Sequence, residues 1–450
     1  MDADKLKAIQ ELNDYYDDYD KDFPEWYRKE RERARELYLK FEESNAPVGK
    51  YGKDFDLTAY NPYLAPTHKP VKNLALLEEI KKTRLQSVGQ RLDEEERTGS
   101  HLQEDTTSTY LNFTKIAEQT LFPKYPDGLI VANFDDSVKE YPWMQKYVNR
   151  IIPVNLDKCT AWNAAYSIGG VLVWVKEGVR VDWPLQACFY METRGLAQLV
   201  HILIVAEPYS KIHLISGCAL HPTCDNALHG CITEVFVGKG AEVTLSMIHN
   251  FRPRFNVRPK IGAIVDENGS YMENFVLTSE VESTQMYPTV ILRGKGAKAS
   301  MRSLMFGLGK SDSDMGSAII FANENTSGEI ISRSVVMDEA NVKTRGSLKA
   351  YRSNVKGHLE CRALLLSDKA ETSAYPNLIS KVSDAQLTHE AAVGKIAEEQ
   401  LLYLMSRGLS REAASSLITR GFLDADIPGL PPLLQAEIKR IVSSTANEVM

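Results

Sequence analysis

The stretch GKGAEVTLSMI, residues 238–248, decides the fold because it returns in altered form as GKGAKASMRSL at residues 294–304. Two further stretches, ENGSYMENFVL from Glu267 and NTSGEIISRSVV from Asn325, follow the same plan. Each of the four stretches contains a turn glycine, and these glycines are spaced 29, 27 and 32 residues apart, at Gly240, Gly269, Gly296 and Gly328. After each turn, apolar residues alternate with small or polar ones, which is the period of a β-strand. A loose repeat of about 30 residues without helical pattern predicts a β-solenoid, with a β-sandwich as the alternative.

The composition divides the chain into four parts. We predict an N-terminal helical arm with an extended connector in residues 1–100 and a mixed segment in residues 101–150. The solenoid core then takes residues 151–392, and a helical domain takes residues 393–450.

The C-terminal domain shows the pattern of about three short helices. The first has Leu401, Leu402 and Met405 as one apolar face, and Gly408 ends it. Ser410 caps the second helix, Gly421 ends it, and Pro432 suits the first turn of the third, as these positions indicate.

The overall composition excludes several classes of partner. A net charge of −7 with 25% charged residues offers no basic stripe for nucleic acid. The apolar runs GGVLVWV and LAQLVHILIVA are shorter than the ~20 residues of a membrane-spanning helix, and MDADKLKAIQ lacks the apolar core of a signal peptide. We therefore predict a cytoplasmic protein that binds neither nucleic acid nor membrane.

The cysteines are too few and too widely spaced for a standard metal loop. None forms a CxxC pair, so a metal site has to combine residues that are distant in sequence. The six are Cys159, Cys188, Cys218, Cys224, Cys231 and Cys361.

Two groups of residues could carry chemistry. Cys361 and the neighbouring pair His389–Glu390 offer a thiol, an imidazole and a carboxylate, although adjacent strand residues point to opposite faces. Equally, Cys361 reads as a small core residue and the pair as an exposed strand end. The second group contains Cys218, Cys224, His229 and Cys231, for which a β-core set beside a hydrogen-bonded histidine is the alternative.

Four stretches together resemble the SufB/SufD scaffold family of the SUF iron–sulfur cluster assembly system. The likeness spans nearly the whole chain and is most specific at the C-terminal end. The stretches are FPEWYRKERERAR from Phe23, TGSHLQEDTTSTY from Thr98, GCALHPTCDNALHGCITEV from Gly217 and THEAAVGKIAEEQLLYLMSRGLSREAASSLITRGF from Thr388. The resemblance implies a right-handed parallel β-helix between N-terminal and C-terminal helical regions.

Within that family the chain looks closest to SufB, of a compact archaeal or minimal type. SufB carries a cysteine 28 residues before a His-Glu pair, as Cys361 stands before His389 and Glu390, whereas SufD has His-Gly there. One departure is that the QNW motif of SufB reads His249–Asn250–Phe251 here. The N-terminal cysteine motif found in some SufB proteins is absent.

The resemblance assigns roles to these residues. It implies that Cys361, His389 and Glu390 bind the iron of a nascent cluster at a dimer interface. Cys218 would receive persulfide sulfur, and the sulfur relay candidates along the interior are His229, Cys224, Cys231 and His249.

It also implies cofactors and partners. The cofactor is a transient [2Fe-2S] or [4Fe-4S] cluster, and reduced flavin is a further candidate. The partners are a second copy or a SufD-like paralogue, a cysteine desulfurase or other sulfur donor, and a SufC-type ABC ATPase bound through the C-terminal helices. Because GxxxxGK[ST] is absent, the ATPase is separate and we expect a scaffold that is not itself an enzyme.

Two alternatives remain. The chain could be a SufD-like structural partner of a scaffold. A β-helix carbohydrate-active enzyme is the other alternative, although such enzymes need acidic clusters on an exposed groove.

Overall fold

A computed structural model describes residues 3–62, 109–113, 117–120, 126–182, 184–191, 194–220, 224–249 and 251–423. Within them the chain is mainly β and forms a parallel β-solenoid of about 7 turns, flanked by helices at both ends. The predicted β-solenoid fold is thereby confirmed, and the sandwich alternative is wrong. No helix among the described residues is both long and apolar enough to cross a bilayer.

Two sheets form the walls of the solenoid. The first sheet contains β1 (Thr109–Phe113), β2 (Ala117–Thr120), β5 (Leu185–Met191), β7 (Lys211–Leu220), β9 (Glu242–His249), β12 (Ser270–Leu277), β15 (Lys298–Gly307), β17 (Ser327–Val336), β19 (Lys356–Leu365) and β21 (Gln386–Lys395). The second contains β3 (Leu129–Asn133), β4 (Gly170–Val175), β6 (Leu196–Ala206), β8 (Asn226–Val237), β10 (Arg254–Val257), β11 (Lys260–Val265), β13 (Ser283–Met286), β14 (Thr289–Leu292), β16 (Asp312–Phe321), β18 (Asn341–Ala350) and β20 (Glu371–Ser380).

Helices lie before, beside and after these sheets. They are α1 (Ala3–Tyr19), α2 (Glu25–Glu43), α3 (Phe134–Glu140), α4 (Lys158–Tyr166), α5 (Glu398–Ser406) and α6 (Arg411–Leu423).

The repeat in the sequence is the repeat of the strand register. Lys298 pairs with Ser327 and Ser327 with Lys356, so the strands stack in parallel at intervals of 29 residues. Two of the predicted turn glycines, Gly240 and Gly296, have φ of +62° and +73°, a conformation that side chains with a Cβ disfavour. At each of these turns the chain leaves the second sheet, and the strand that follows joins the first sheet beside the first-sheet strand of the preceding turn.

Alternating residues face an apolar interior. On β19, Leu359 and Cys361 are buried in the main hydrophobic cluster, while Glu360 and Arg362 point to the outer face. Because the strands are in register, each inward side chain stacks on the inward side chains of the strands above and below. The interior is therefore made of rows of side chains running along the solenoid axis.

The N-terminal arm packs against the second sheet. The buried Arg31 donates from Nε to Asp20 Oδ1 at 2.8 Å and from Nη1 to the Ser167 carbonyl at 3.0 Å. Asn163 on α4 donates from Nδ2 to the Gly230 carbonyl on β8 at 2.9 Å. The bond from Arg31 thus holds the arm to the residue that follows α4, and the bond from Asn163 holds α4 to the second sheet, in addition to apolar packing.

Glu234 anchors the segment between α3 and α4 to the outer face of β8. Its carboxylate, fully buried, accepts hydrogen bonds from the backbone N–H groups of Asn149, Ile151 and Ile152 at 2.6–3.1 Å. His201 Nε2 lies 3.0 Å from the same carboxylate. Three backbone donors and one imidazole therefore depend on one side chain.

Replacing Glu234 by alanine should lower the free energy of unfolding by about 3–5 kcal/mol, because the buried donors lose their acceptor. Urea denaturation measures the change. Glu242→Ala is the matched control, since that carboxylate forms an exposed pair with Arg180 and its loss should cost less than about 1 kcal/mol. Equal effects of the two variants would contradict this interpretation of Glu234.

The C-terminal helices agree only in part with the predicted pattern. Gly408 has a φ of +95° after α5, and Ser410 Oγ accepts from the Ala413 N–H, as predicted. Leu401 is buried but Leu402 is exposed, because only one side of α5 reaches neighbouring side chains. The helix α6 continues through Gly421 to Leu423, so the predicted end at Gly421 is wrong. The predicted third helix after Pro432 lies outside the described residues.

Candidate metal and sulfur site

Cys218, His229 and His249 meet inside the solenoid. Gly217 on β7 pairs with Ile248 on β9, so Cys218 and His249, the next residues, lie side by side on the first sheet. His229 comes from β8 in the second sheet and faces them across the interior. One ligand atom of each residue lies within 4.8 Å of those of the other two, and each residue is at most 3% exposed.

Gln198 on β6 fixes one of the two histidine rings. His229 Nδ1 lies 2.9 Å from Gln198 Oε1, and because a carbonyl oxygen only accepts, this contact fits the tautomer that carries its proton on Nδ1 and keeps a lone pair on Nε2. Cys218 Sγ lies 3.6 Å from His229 Nδ1, 3.9 Å from Nε2 and 3.7 Å from Gln198 Oε1. Gln198 was missed in the sequence, although a lone glutamine in the apolar run LAQLVHILIVA was a signal.

Aromatic side chains hold the second ring. The His249 imidazole stacks on Phe251 with ring centres 5.0 Å apart and lies 5.5 Å from the Phe275 ring. Burial lowers the pKa of His229 to about 4 and holds that of His249 well below its usual range. Both imidazoles are therefore neutral at neutral pH, the form in which they can bind a metal.

Cys224 and Cys231 lie in the same part of the interior. Both are buried in the main hydrophobic cluster, and Cys231 Sγ lies 3.4 Å from Thr233 Oγ1. Burial raises the pKa of each thiol to about 12. Thiolate is the attacking species in sulfur exchange, and little of either cysteine is thiolate at neutral pH. Both cysteines are therefore poor nucleophiles for a sulfur relay.

Cys361 points into the interior near the far end of the solenoid. It is 1% exposed, and burial, followed by the nearby Glu360 carboxylate, raises the pKa of its thiol to about 11. In the register Cys361 pairs with Ala391 on β21, so only a methyl side chain of the last described strand lies over it. The thiol is covered but close to the end of the stack.

His389 and Glu390 lie on β21 and point to opposite faces of it. His389 pairs with Leu359 and shares the inner face with Cys361, whereas Glu390 pairs with Glu360 on the outer face. Arg362 Nη2 donates to Glu390 Oε1 at 2.7 Å. A single chain thus places Cys361 and His389 on one face and does not bring Glu390 to them.

The two groups of residues are far apart. Cys218 on β7 and Cys361 on β19 are separated by five strand spacings of about 4.8 Å, or about 24 Å. The interior row that continues from His249 contains Leu277, Met305, Ser334 and Ala363. The row that ends at Cys361 contains Met247, Phe275, Ser303 and Ser332. The predicted relay residues therefore cluster at the Cys218 end and do not bridge this distance.

Family models match the solenoid and the segment before it. The model of the SUF system FeS cluster assembly SufBD core domain matches residues 188–422, and that of the SufBD protein N-terminal region matches residues 100–187. Cys218, Cys361 and the His389–Glu390 pair all lie in the core match.

Similar proteins come from archaea and bacteria. An iron-sulfur cluster assembly SufBD family protein of Methanothermobacter thermautotrophicus strain Delta H is 36% identical over 413 residues, which cover 91% of this chain and 98% of the relative. One from Archaeoglobus fulgidus is 35% identical over 82% of this chain and 96% of its own length. One from Staphylococcus aureus strain MRSA252 is 29% identical over 94% of this chain and 90% of its own length.

A parallel solenoid with these interior cysteines and histidines, matched along its length by both family domains, has one consistent assignment: the chain belongs to the SufBD family of iron–sulfur cluster assembly proteins.

Proposed function

We propose that this chain is a SufB-type scaffold on which iron and sulfur are combined into a cluster. The observation that carries the proposal is the position of Cys361, a thiol one strand below the end of the solenoid and on the same face as His389. A thiolate is the ligand that iron–sulfur clusters prefer, and imidazole is a weaker partner that permits later release. The chain itself carries out no ATP hydrolysis in this proposal.

The end of the solenoid supports a dimer. Within the described residues, β20 pairs only with β18 and β21 only with β19, so the outer edges of both strands lack a strand partner. Tyr375 and Val393 on these strands are exposed. An unpaired edge favours addition of another chain, and a two-fold axis there would bring two copies of Cys361 together. A second copy or a SufD-like paralogue would complete the ligand set.

Sulfur would enter at Cys218. The Cys218 thiolate attacks the sulfane sulfur of a donor persulfide, the S–S bond of the donor breaks, and the donor leaves as a thiolate. Conversion of the transferred sulfur to sulfide takes two electrons, for which reduced flavin is the proposed source. The donor would be a cysteine desulfurase or another persulfide-bearing protein.

Displacement of β20 and β21, the last strands of the two sheets, would let Glu390 join the cluster site. A separate SufC-type ATPase bound to α5 and α6 is the proposed source of that motion. The two helices are coupled to the first sheet, since Arg333 Nη1 donates to the Phe422 carbonyl at 3.1 Å and Phe422 packs beside Leu364 and Val335. A pull on the helices would therefore reach the strands around Cys361.

Anaerobic reconstitution with ferrous iron and sulfide tests the scaffold proposal. The wild-type chain should turn brown and show sulfide-to-iron charge-transfer absorbance, with iron and sulfide retained after gel filtration. Cys159→Ser is the control, because Cys159 lies on α4 outside the solenoid interior and the variant should behave like the wild type. A colourless wild-type protein would contradict the proposal.

One observation favours a second candidate function, a SufD-like supporting partner. Cys361 and Glu390 lie on opposite faces of their sheet, so the single chain presents an incomplete ligand set. A supporting partner would not need that set.

A further inference from the structure

The cluster of Cys218, His229 and His249 has the composition of a metal site of its own. Its ligand atoms come from three strands in two sheets and lie within 4.8 Å of one another. Residues on facing sheets approach in this way because the solenoid is thin enough for inward side chains of both walls to meet. The arrangement is therefore built by the fold and does not follow from sequence spacing.

One atom in this cluster points to a missing ligand. Nδ1 of His249 is buried and has no hydrogen-bond partner within the described residues. An unsatisfied buried polar atom costs about 1–3 kcal/mol, and a bound metal ion is one way to satisfy a neutral imidazole. Phe251 stacks on the same ring and restricts its rotation.

The hydrogen bond between Gln198 and His229 also fits a metal site. The hydrogen bond from His229 Nδ1 to Gln198 Oε1 leaves Nε2 as the ligand atom, which is the arrangement typical of metal-binding histidines. Sulfur transfer between cysteines uses thiols alone and gives no role to two neutral imidazoles beside Cys218. A metal ion bound by one thiolate and two imidazoles does require them.

We propose that Cys218, His229 and His249 bind a single transition-metal ion of the class that accepts thiolate and imidazole ligands, with ferrous iron as the ion taken up in the cell. Binding replaces the proton of the Cys218 thiol, which is released to solvent, so the ion is held by one anionic and two neutral ligands. Three protein ligands leave one position of a tetrahedral site open.

The open position connects this site to sulfur. A sulfide or persulfide sulfur is a soft donor that could occupy it, so iron and sulfur would first meet at Cys218, about 24 Å from Cys361. This assignment of iron rests on the proposed scaffold function, whereas the metal site itself rests on geometry alone.

Cobalt(II) titration of the full chain under anaerobic conditions tests the site. The titration uses the Cys361→Ser background, so that the distant thiol cannot contribute. We expect one cobalt ion per chain, with a thiolate-to-cobalt charge-transfer band and the intense visible bands of a four-coordinate ion. Excess ferrous iron should remove these bands by displacement.

Variants identify the ligands. In the same background, Cys218→Ser should remove the charge-transfer band, and His249→Gln should weaken cobalt binding by about tenfold or more. Glutamine is chosen because it stands at this position in the QNW motif of SufB, so the fold should accept it. Cys231→Ser is the matched control: it is an interior thiol two residues from His229, and its variant should keep the band.

The outcomes separate this inference from the scaffold proposal. A Cys361→Ser chain without the thiolate–cobalt band, a band that survives Cys218→Ser, or an unchanged cobalt affinity in His249→Gln would overturn the metal site. Failure of ferrous iron to displace cobalt would overturn the iron assignment. If the wild-type chain assembles a cluster but the cobalt band is missing, the metal site is wrong and the scaffold function is retained. If the cobalt band appears but no cluster is assembled, the metal site is retained and the scaffold function is wrong.

Discussion

Cys361→Ser should abolish cluster assembly, reducing iron and sulfide retained after reconstitution by about tenfold or more relative to wild type. The physical reason is that a serine hydroxyl stays protonated at neutral pH and is a poor ligand for iron, whereas the cysteine thiol can lose its proton to the metal. The substitution is nearly isosteric, so the interior around Leu359 and Ala391 should remain packed.

The same reconstitution assay provides the controls for this prediction. Cys159→Ser, also a buried thiol, should retain full iron and sulfide. His389→Ala and Glu390→Ala should give smaller losses, with the larger of the two showing which residue is the second ligand. If Cys361→Ser assembles a cluster as well as the wild type does, the chain is the supporting, SufD-like partner.

The double variant Leu402→Asp and Tyr403→Asp should abolish co-purification with the SufC-type ATPase that we propose as a partner. Both side chains are more than half exposed on α5. They form an exposed apolar surface near α6, the helix whose Phe422 packs against the first sheet. Loss of a buried anchor at an interface costs about 2 kcal/mol or more, or roughly thirtyfold in affinity per residue. A pull-down with the tagged ATPase, followed by calorimetric titration, measures the effect.

A matched substitution checks that the effect is local. Leu156→Asp changes a leucine that is as exposed as Leu402 but lies just before α4, on the N-terminal side of the chain. It should leave ATPase binding unchanged. Undiminished binding of the Leu402/Tyr403 variant would show that the ATPase docks elsewhere.

Most of the candidate site could be found in the sequence, but its grouping could not. The sequence identifies Cys218, His229 and His249 as candidates, but only for sulfur entry and relay towards Cys361. Their common location depends on β7, β8 and β9 lying on two facing sheets, and one-dimensional spacing carries no information on that. Gln198, which orients His229, was missed because its role arises only from the pairing of β6 with β8.

The sequence by itself favoured the solenoid over the sandwich, because a repeat of turn residues with period-2 alternation buries its apolar face when successive turns stack. It also determined that adjacent residues His389 and Glu390 point apart, since a strand turns each successive side chain to the other face. Only the tertiary structure decided which side chains meet. Cys361 lies next to Ala391 because of the register between β19 and β21, and Cys218 meets His229 because the two sheets face each other. Both contacts join residues that are far apart in the sequence.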